Sequence, residues 1–415
     1  MTDSLKKLTT IIMAGGKGER LFPLTRDKAK PAITFGSLYR IIDFTLSNCL
    51  NSGIRRIYVL SQYGSFSLDQ HLRQAWDIMH PDLGEFIYSM PPQQIMVSRW
   101  YRGTADSIFQ NLNLLEAERP KHVLILSGDH VYKLNYREML AFHLRQGADL
   151  TVAAVMVHRA EGSSFGILKV NAAGEVENFL EKPADPPGLP DNPDFSLVSM
   201  GVYIFNAGVL ERALDNDLTD FGKEVIPQNV SQLKLQAYLF PGYWEDIGTI
   251  RSFYETNISL TTITPEFDFY NEDHPIYTRR RDLPASKINA CVINQSLTAD
   301  GCIITNANIM NSIVGIRTII ESGATLDGVV CMGADYYESA EEKARNRSLG
   351  IPDIGIGRGT LIRKAIIDKN ARIGEVCRIG VDSLGRPEGD FGHYYIRDGI
   401  IIIPKNAVVP PGSVI

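Results

Sequence analysis

From Ser286 to the end of the chain, isoleucine and valine return about every six residues, with glycine, asparagine and aspartate between them. Ile356 and Ile362 form one in-phase run. After a slip of one residue Ile367, Ile373 and Ile379 form another, and Ile402, Val408 and Val414 a third. Ile303 with Ile309, and Ile320 with Leu326, keep the same spacing. Sandwich strands alternate with period two and turn at longer spacing. A six-residue period instead suits a parallel β-helix, in which each short strand stacks on the coil below. We therefore read 286–415 as a β-helix, with a turn-rich sandwich as the competing architecture. Two stretches interrupt the coils: Ala334 to Pro352, with the charged, helix-like run SAEEKARNRS, and Asp382 to His393, rich in Gly, Pro and Asp. Both read as surface insertions.

The preceding part has a different rhythm. Leu8 to Met13, Arg56 to Gln62, His122 to Ser127 and Leu150 to Val157 read as short buried strands, with helical patterns over Ser107 to Glu118 and Tyr136 to Arg145. Strand-helix alternation implies an α/β domain with a mostly parallel sheet covered on both faces. Ligands of such sheets collect at the carboxyl ends of the strands. Thr264 to Pro284, with Pro265, Pro275, the triplet Arg279-Arg280-Arg281 and Pro284, reads as a linker. The expected division is a domain over 1–262, a linker over 263–285 and the β-helix over 286–415. A chain of 415 residues is in any case too long for one ordinary core.

Composition narrows the class. Net charge is −6 and there is no basic run, which argues against nucleic acid as the partner. The apolar stretch Ile11 to Ala14 is too short for a signal-peptide core, and no run is long enough to span a bilayer. The five cysteines are odd in number and form no C-x-x-C. Reduced thiols in a cytoplasmic protein, with no membrane partner, is the expectation.

The chemistry begins at Ala14-Gly15-Gly16-Lys17-Gly18-Glu19-Arg20-Leu21, directly after the first strand. Glycines there let backbone N–H groups approach a phosphate or a base, and Arg20 adds a fixed cation. Alone the loop reads equally as a plain turn. A second cation, Lys30, lies in Lys28-Ala29-Lys30-Pro31-Ala32, where the proline pushes it toward an extended backbone. Asp129, in Ser127-Gly128-Asp129-His130, ends a buried strand and suits a Mg²⁺ ligand or a helix cap.

These segments carry a resemblance. GGKGERLFPLT followed by KAKPA resembles the signature of sugar nucleotidyltransferases, and Tyr39 to Tyr63 (YRIIDFTLSNCLNSGIRRIYVLSQY) is similar to the ADP-glucose pyrophosphorylase branch. The resemblance covers nearly the whole chain. It implies a Rossmann-like mixed sheet of the GT-A kind followed by a left-handed parallel β-helix of hexapeptide repeats. It implies nucleotide binding at Gly15, Gly16, Gly18, Gln62, Gly103 and Thr104, catalytic cations at Arg20 and Lys30, and Mg²⁺ on Asp129 and Asp246. The WYRGTAD segment with Tyr101, and the segments around Gly166, Glu181-Lys182-Pro183 and Ser199, imply a glucose 1-phosphate site. The implied partners are ATP, glucose 1-phosphate, ADP-glucose and pyrophosphate, in a homotetramer. Ala365 to Gly374 and Ile400 to Ile415 resemble the cyanobacterial and plant form, in which lysines matching Lys369 and Lys405 bind an anionic metabolite effector. The N-terminal half is closer to the general bacterial form.

Three rivals stand beside this reading. One is a sister enzyme using UTP, dTTP or GTP. Another is an acyltransferase, a common use of hexapeptide coils, although His393 is the sole histidine of the helical region. The third is a non-catalytic regulatory subunit, against which the presence of Arg20, Lys30, Asp129, Lys182 and Asp246 argues.

Overall fold

The structure, a computed structural model, describes residues 2–92, 100–381 and 387–415. The chain forms two compact units. One comprises Met1–Gly16, Ile42–Trp244 and Asn271–Tyr277, the other Lys17–Ile41, Glu245–Tyr270 and Thr278–Ile415.

The first unit is built on a sheet with nine strands among the described residues: β1 (Leu8–Ala14), β2 (Arg56–Ser61), β3 (Phe86–Met90), β4 (His122–Ser127), β5 (Leu150–His158), β6 (Gly166–Val170), β7 (Val176–Glu181), β8 (Phe195–Asn206) and β9 (Leu235–Leu239). Along the sheet the order is β7-β6-β8-β4-β1-β2-β3, and β5 pairs with both β8 and β9. β1 lies between β4 and β2, parallel to both, with Ile11 opposite Ile125 and Tyr58. Its near-continuous apolar run follows from burial on both faces.

The sheet is mixed, less parallel than strand-helix alternation suggested. The twelve-residue β8 runs antiparallel to β4, β5 and β6. β6 and β7 join through a tight turn at Asn171 and Gly174, too short for the crossover that a parallel pair needs. Against β5, the register of β8 shifts between Ser199 and Tyr203. Such irregularities re-aim side chains and favour the neighbourhood of sites.

The helix Tyr136–Gln146 starts where Asn135 accepts a bond from the Arg137 amide at 3.1 Å, and stops at Gly147. The helix expected over Ser107 to Glu118 is two shorter ones, Thr104–Phe109 and Leu112–Glu118. The break has a polar cause. Asn111 donates its side-chain amide to the Tyr101 hydroxyl (3.0 Å) and to the Ser107 carbonyl (2.8 Å), and Gln110 donates to Asp106 at 2.7 Å.

In the second unit Lys287–Val409 forms stacked parallel strands of two to seven residues. One stack aligns Ile304, Ile320, Ile356, Ile373 and Val409, and another Ile309, Leu326, Ile362 and Ile379. A third aligns Val314, Cys331, Ile367 and Ile403. These side chains fill one core. The phase differs from the expected one at four positions: Ile303, Val408 and Val414 are exposed and Ile402 is buried outside this core, while Ile304, Val409, Ile415, Ile401 and Ile403 belong to it instead. Neighbouring residues of a strand face opposite sides, so a period alone does not choose between two adjacent apolar residues. The charged run forms a helix, Ala340–Ser348, opened by a Ser339–Glu342 capping box. Of the second interruption, residues 382–386 lie outside the described residues; beyond them Gly389–Asp390 and Tyr395–Arg397 make a small hairpin. No helix among the described residues is long and apolar enough to cross a membrane. All five cysteines are free.

Candidate active site

In the first unit, β1 delivers Ala14 into the Gly15-Gly16 turn. Gly15 packs on Gln62, where an added Cβ would lie 3.2 Å from the Gln62 Cβ. Gln62 is itself fixed: its side-chain oxygen accepts from the Tyr101 amide at 2.8 Å, and its amide donates to the Tyr101 carbonyl at 3.4 Å. Gln62 and Tyr101 are thus a doubly hydrogen-bonded pair, with Gly15 packed against it. Burial pushes the Tyr101 phenol up. Asp106 locks the same segment, accepting from the Arg102 amide (2.9 Å), the Arg102 guanidinium (3.0 Å) and Gln110.

The segment then turns to a second group. Ala105 and Asp106 donate their amides to the Thr219 carbonyl. Thr104 donates to Asp220 at 3.3 Å and accepts from the Phe221 amide at 3.0 Å. Glu181 ends β7 and lies against the following Gly222, where a Cβ would sit 2.7 Å from its Oε2. Tyr203, after the register shift of β8, lies 3.4 Å from the Ser199 hydroxyl. Burial, with the charges of Glu181 and Asp220 adding, raises the Tyr203 phenol to about 12. Gly166 is forced to be glycine: a Cβ would meet the Phe179 ring at 2.5 Å and the Glu181 carboxylate at 3.0 Å. Lys182 has a left-handed backbone (φ 48), rare for a residue with a side chain. Its ammonium lies 3.3 Å from Glu181 and is half-exposed. A half-exposed cation on Glu181, near the Tyr203 phenol that the Glu181 and Asp220 charges and the Ser199 hydroxyl also reach, can take an anion and a polyol at once.

Asp129 follows β4 with its carboxylate accepting from the Ser127 hydroxyl. His130 Nε2 lies 3.4 Å away, and the His130 ring packs edge-on against Trp244 at 5.1 Å.

In the second unit the chain after Gly16 forms a cation cluster. Gly18 is left-handed (φ 64), and a Cβ would press on Thr25 at 2.9 Å and Lys30 at 3.2 Å. Thr25 donates back to the Gly18 carbonyl at 3.0 Å. Ala29 is the extended residue here, a place earlier than the proline argument puts it, and Lys30 opens a one-turn 3₁₀ helix. Bonds from Ala32 to Ala29 and from Ile33 to Lys30 close that turn and override the local preference. Lys30 donates to Asp246 at 3.2 Å. A Cβ on Gly248 would lie 3.0 Å from Asp246 Oδ2 and 3.2 Å from the Arg20 guanidinium, so Arg20, Lys30 and Asp246 surround one spot.

Residues 9–263 match the nucleotidyl transferase family, and residues 281–414 match the GLGC left-handed parallel β-helix domain. The chain belongs to the nucleotidyl transferase family. The two domains together are those of a sugar-1-phosphate nucleotidyltransferase of the GLGC kind.

This nucleotidyl transferase also pairs charged residues in ways that sequence reasoning missed. Lys28 is buried and donates to both Asp368 oxygens, at 2.7 and 2.9 Å. Lys369 and Lys405, set apart in sequence, meet on a single carboxylate: Asp335 Oδ1 lies 2.8 Å from Lys369 and Oδ2 lies 3.2 Å from Lys405. Burial lowers the Lys369 ammonium to about 8, against the opposing pull of Asp335. The two lysines hold Asp335 far below the ordinary carboxylate range, although burial works the other way. Asp220, Phe221 and Tyr203 were missed because they carry no motif of their own; the run Asp220-Phe221-Gly222-Lys223, shortly after the long β8, was the available signal.

Proposed function

We propose that the chain is a glucose-1-phosphate adenylyltransferase, converting ATP and glucose 1-phosphate to ADP-glucose and pyrophosphate, the first committed step of glycogen or starch synthesis. The observation that carries the reading is the first-unit cluster of Lys182, Glu181, Ser199, Tyr203 and Asp220: one half-exposed cation for a phosphate beside acceptors and hydroxyls for a sugar.

In this proposal Lys182 binds the phosphate of glucose 1-phosphate, and Glu181 accepts hydrogen bonds from sugar hydroxyls. Gly166 lets the backbone approach the sugar ring, and Tyr101 closes the site from the WYRGTAD segment. The Gly15-Gly16 turn, Gly18, Gln62, Gly103 and Thr104 hold the nucleotide. A phosphate oxygen of the sugar attacks the α-phosphorus of ATP in line, and pyrophosphate leaves. No covalent enzyme intermediate forms, so positioning and charge neutralisation supply the rate. Arg20 and Lys30 neutralise the departing β- and γ-phosphates.

Asp129 and Asp246 are the proposed Mg²⁺ ligands. Both are hard oxygen donors with partly exposed carboxylates, 26% and 21%, which fits an ion that keeps waters and substrate oxygens. When bound, Mg²⁺ supplies positive charge to the reacting phosphates. We assign catalysis to 1–262, a linker to 263–285, and assembly and regulation to 286–415. The working form is proposed to be a cytoplasmic homotetramer, with Lys369 and Lys405 receiving an anionic metabolite.

The test is pyrophosphate release by the purified chain with glucose 1-phosphate and ATP, UTP, dTTP or GTP in turn. ATP should be preferred clearly. Equal or faster turnover with another nucleotide would replace the reading with a sister enzyme, and a silent chain would make it a regulatory subunit.

A further inference from the structure

Lys369 is a charged group in a place that disfavours charge. Its side chain is 6% exposed, and the positive charges of Arg40 and Arg281 act on it from nearby. A buried ammonium in that company needs an anion. Asp368, the adjacent residue in sequence, is already engaged by Lys28. The carboxylate that meets the need is Asp335, and it does so in a particular way. Each of its oxygens takes a different lysine, Lys369 at 2.8 Å and Lys405 at 3.2 Å. That is how two oxygens of a phosphate or carboxylate ligand would divide themselves between two ammonium groups. Asp335 follows a β-helix strand, Thr325–Cys331, by four residues, at the start of the inserted stretch. Its backbone amide donates to Asn370 at 2.8 Å, and its Oδ2 accepts from the Asn370 side chain at 3.2 Å. Unlike Lys369, Asp335 is 37% exposed, so solvent and solutes reach it. Lys369 and Lys405 thus share the Asp335 carboxylate, while Arg40 and Arg281 act on Lys369 from nearby.

We propose that the Asp335 carboxylate is a built-in competitor for the anion site at Lys369 and Lys405, occupying the positions that the oxygens of an anionic metabolite take when it binds. This rests on the reading of those two lysines as the effector site. The ligand must displace Asp335, so its apparent affinity is reduced by the fraction of molecules in which Asp335 is seated. The ligand class that wins is one with more charge than a single carboxylate, a small phosphorylated dianion, because it attracts both ammonium groups more strongly than Asp335 does. A monocarboxylate would merely exchange one carboxylate for another. Asp335 therefore sets both the threshold concentration and the preference for multiply charged ligands.

The experiment is calorimetric titration of the full chain with inorganic phosphate at fixed ionic strength. Asp335→Asn keeps the size and removes the charge. It should tighten phosphate binding roughly tenfold or more, whereas Lys369→Gln and Lys405→Gln should each weaken it. A gain in affinity is not an outcome that mere structural damage produces. Asp335→Ser is run in parallel, and thermal melting of every variant identifies any that fails to fold. If Lys369→Gln and Lys405→Gln abolish phosphate binding but both Asp335 variants bind no tighter than wild type, the competitor role is wrong and the anion site stands. If phosphate binding is absent throughout, or indifferent to both lysines, the site itself falls and the competitor with it.

Discussion

Lys182 in the first unit and Lys369 in the second are both lysines paired with a nearby carboxylate, yet the two pairs differ sharply in exposure and in hold. Lys182 is 52% exposed on a left-handed backbone, 3.3 Å from Glu181. An ion pair that exposed is worth little, so an arriving phosphate finds a cation already available. Lys369 is 6% exposed and held at 2.8 Å by Asp335. There the internal pair has to be opened before an anion can enter. Under the functions proposed above, the contrast is one between a substrate site, which must turn over freely, and a regulatory site, which must respond only above a threshold.

The sharpest way to break the comparison is at the first unit's own carboxylate. Asp129→Asn should lower kcat roughly 100- to 1,000-fold, while glucose 1-phosphate binding and the melting temperature stay near wild type. Steady-state kinetics with a parallel binding titration measure both halves. Unchanged turnover would remove Asp129 from the mechanism. In the second unit the corresponding loss should be one of stability. Lys28 and Asp368 are 6% and 2% exposed, and breaking a buried pair leaves one charge stranded. Asp368→Asn should therefore cost about 3–5 kcal/mol in denaturant unfolding. The double variant Lys28→Met/Asp368→Leu should recover most of that loss, because it leaves no charge behind.

These two residues also mark the limit of what the sequence made legible. The glycine turn, the strand ends and the six-residue period are local patterns, and all three appear in the fold. The antiparallel run of β8 was not legible, because buried strands look alike whichever way they point. Nor was the choice of Ile304 over Ile303, since a strand of two or three residues offers too few turns of the period to set its phase. Asp368 and Lys28 are 340 positions apart. No spacing rule links such residues, and a lysine or an aspartate on a coil turn reads as solvated until the coil is built. The same holds for Asp335, which belongs to no motif. Gly166 and Lys182 were legible as positions, while the reason that Gly166 must be glycine, the Phe179 ring against it, was not.

Not every buried base is paired with a carboxylate, as His71 is with Asp43 in the first unit. Lys28 and Lys369 in the second unit are paired with carboxylates too, whereas His143 in the first is held neutral. Its Nδ1 lies 2.8 Å from the Thr151 hydroxyl and its Nε2 lies 3.3 Å from the Asn206 side-chain oxygen. Burial depresses it from 6.5 to about 4. Burial lowers His122, packed edge-on beside it, as well. The unfolded chain therefore takes up the proton first. The stabilisation should be complete above the unfolded value near 6.5 and should be lost as pH falls toward 4, up to about 3 kcal/mol. Thermal melting against pH should show this slope, and His143→Gln should flatten it. An equal slope in the variant would assign the acid sensitivity elsewhere.

The smallest expected effect returns to Lys182. If its ammonium is ready for substrate, removing it costs one charged hydrogen bond to the sugar phosphate and little else. Lys182→Gln should raise the KM for glucose 1-phosphate roughly tenfold with kcat, the KM for ATP and the melting temperature nearly unchanged. Lys369→Gln should show the converse: ordinary substrate kinetics without effector, and a weakened response to phosphate. A Lys182 variant that lost kcat instead would mean that the cation acts chiefly in the transition state. The exposed pair with Glu181 would then be a catalytic contact rather than a docking point, and the distinction between the two lysines would have to be drawn on timing rather than on burial.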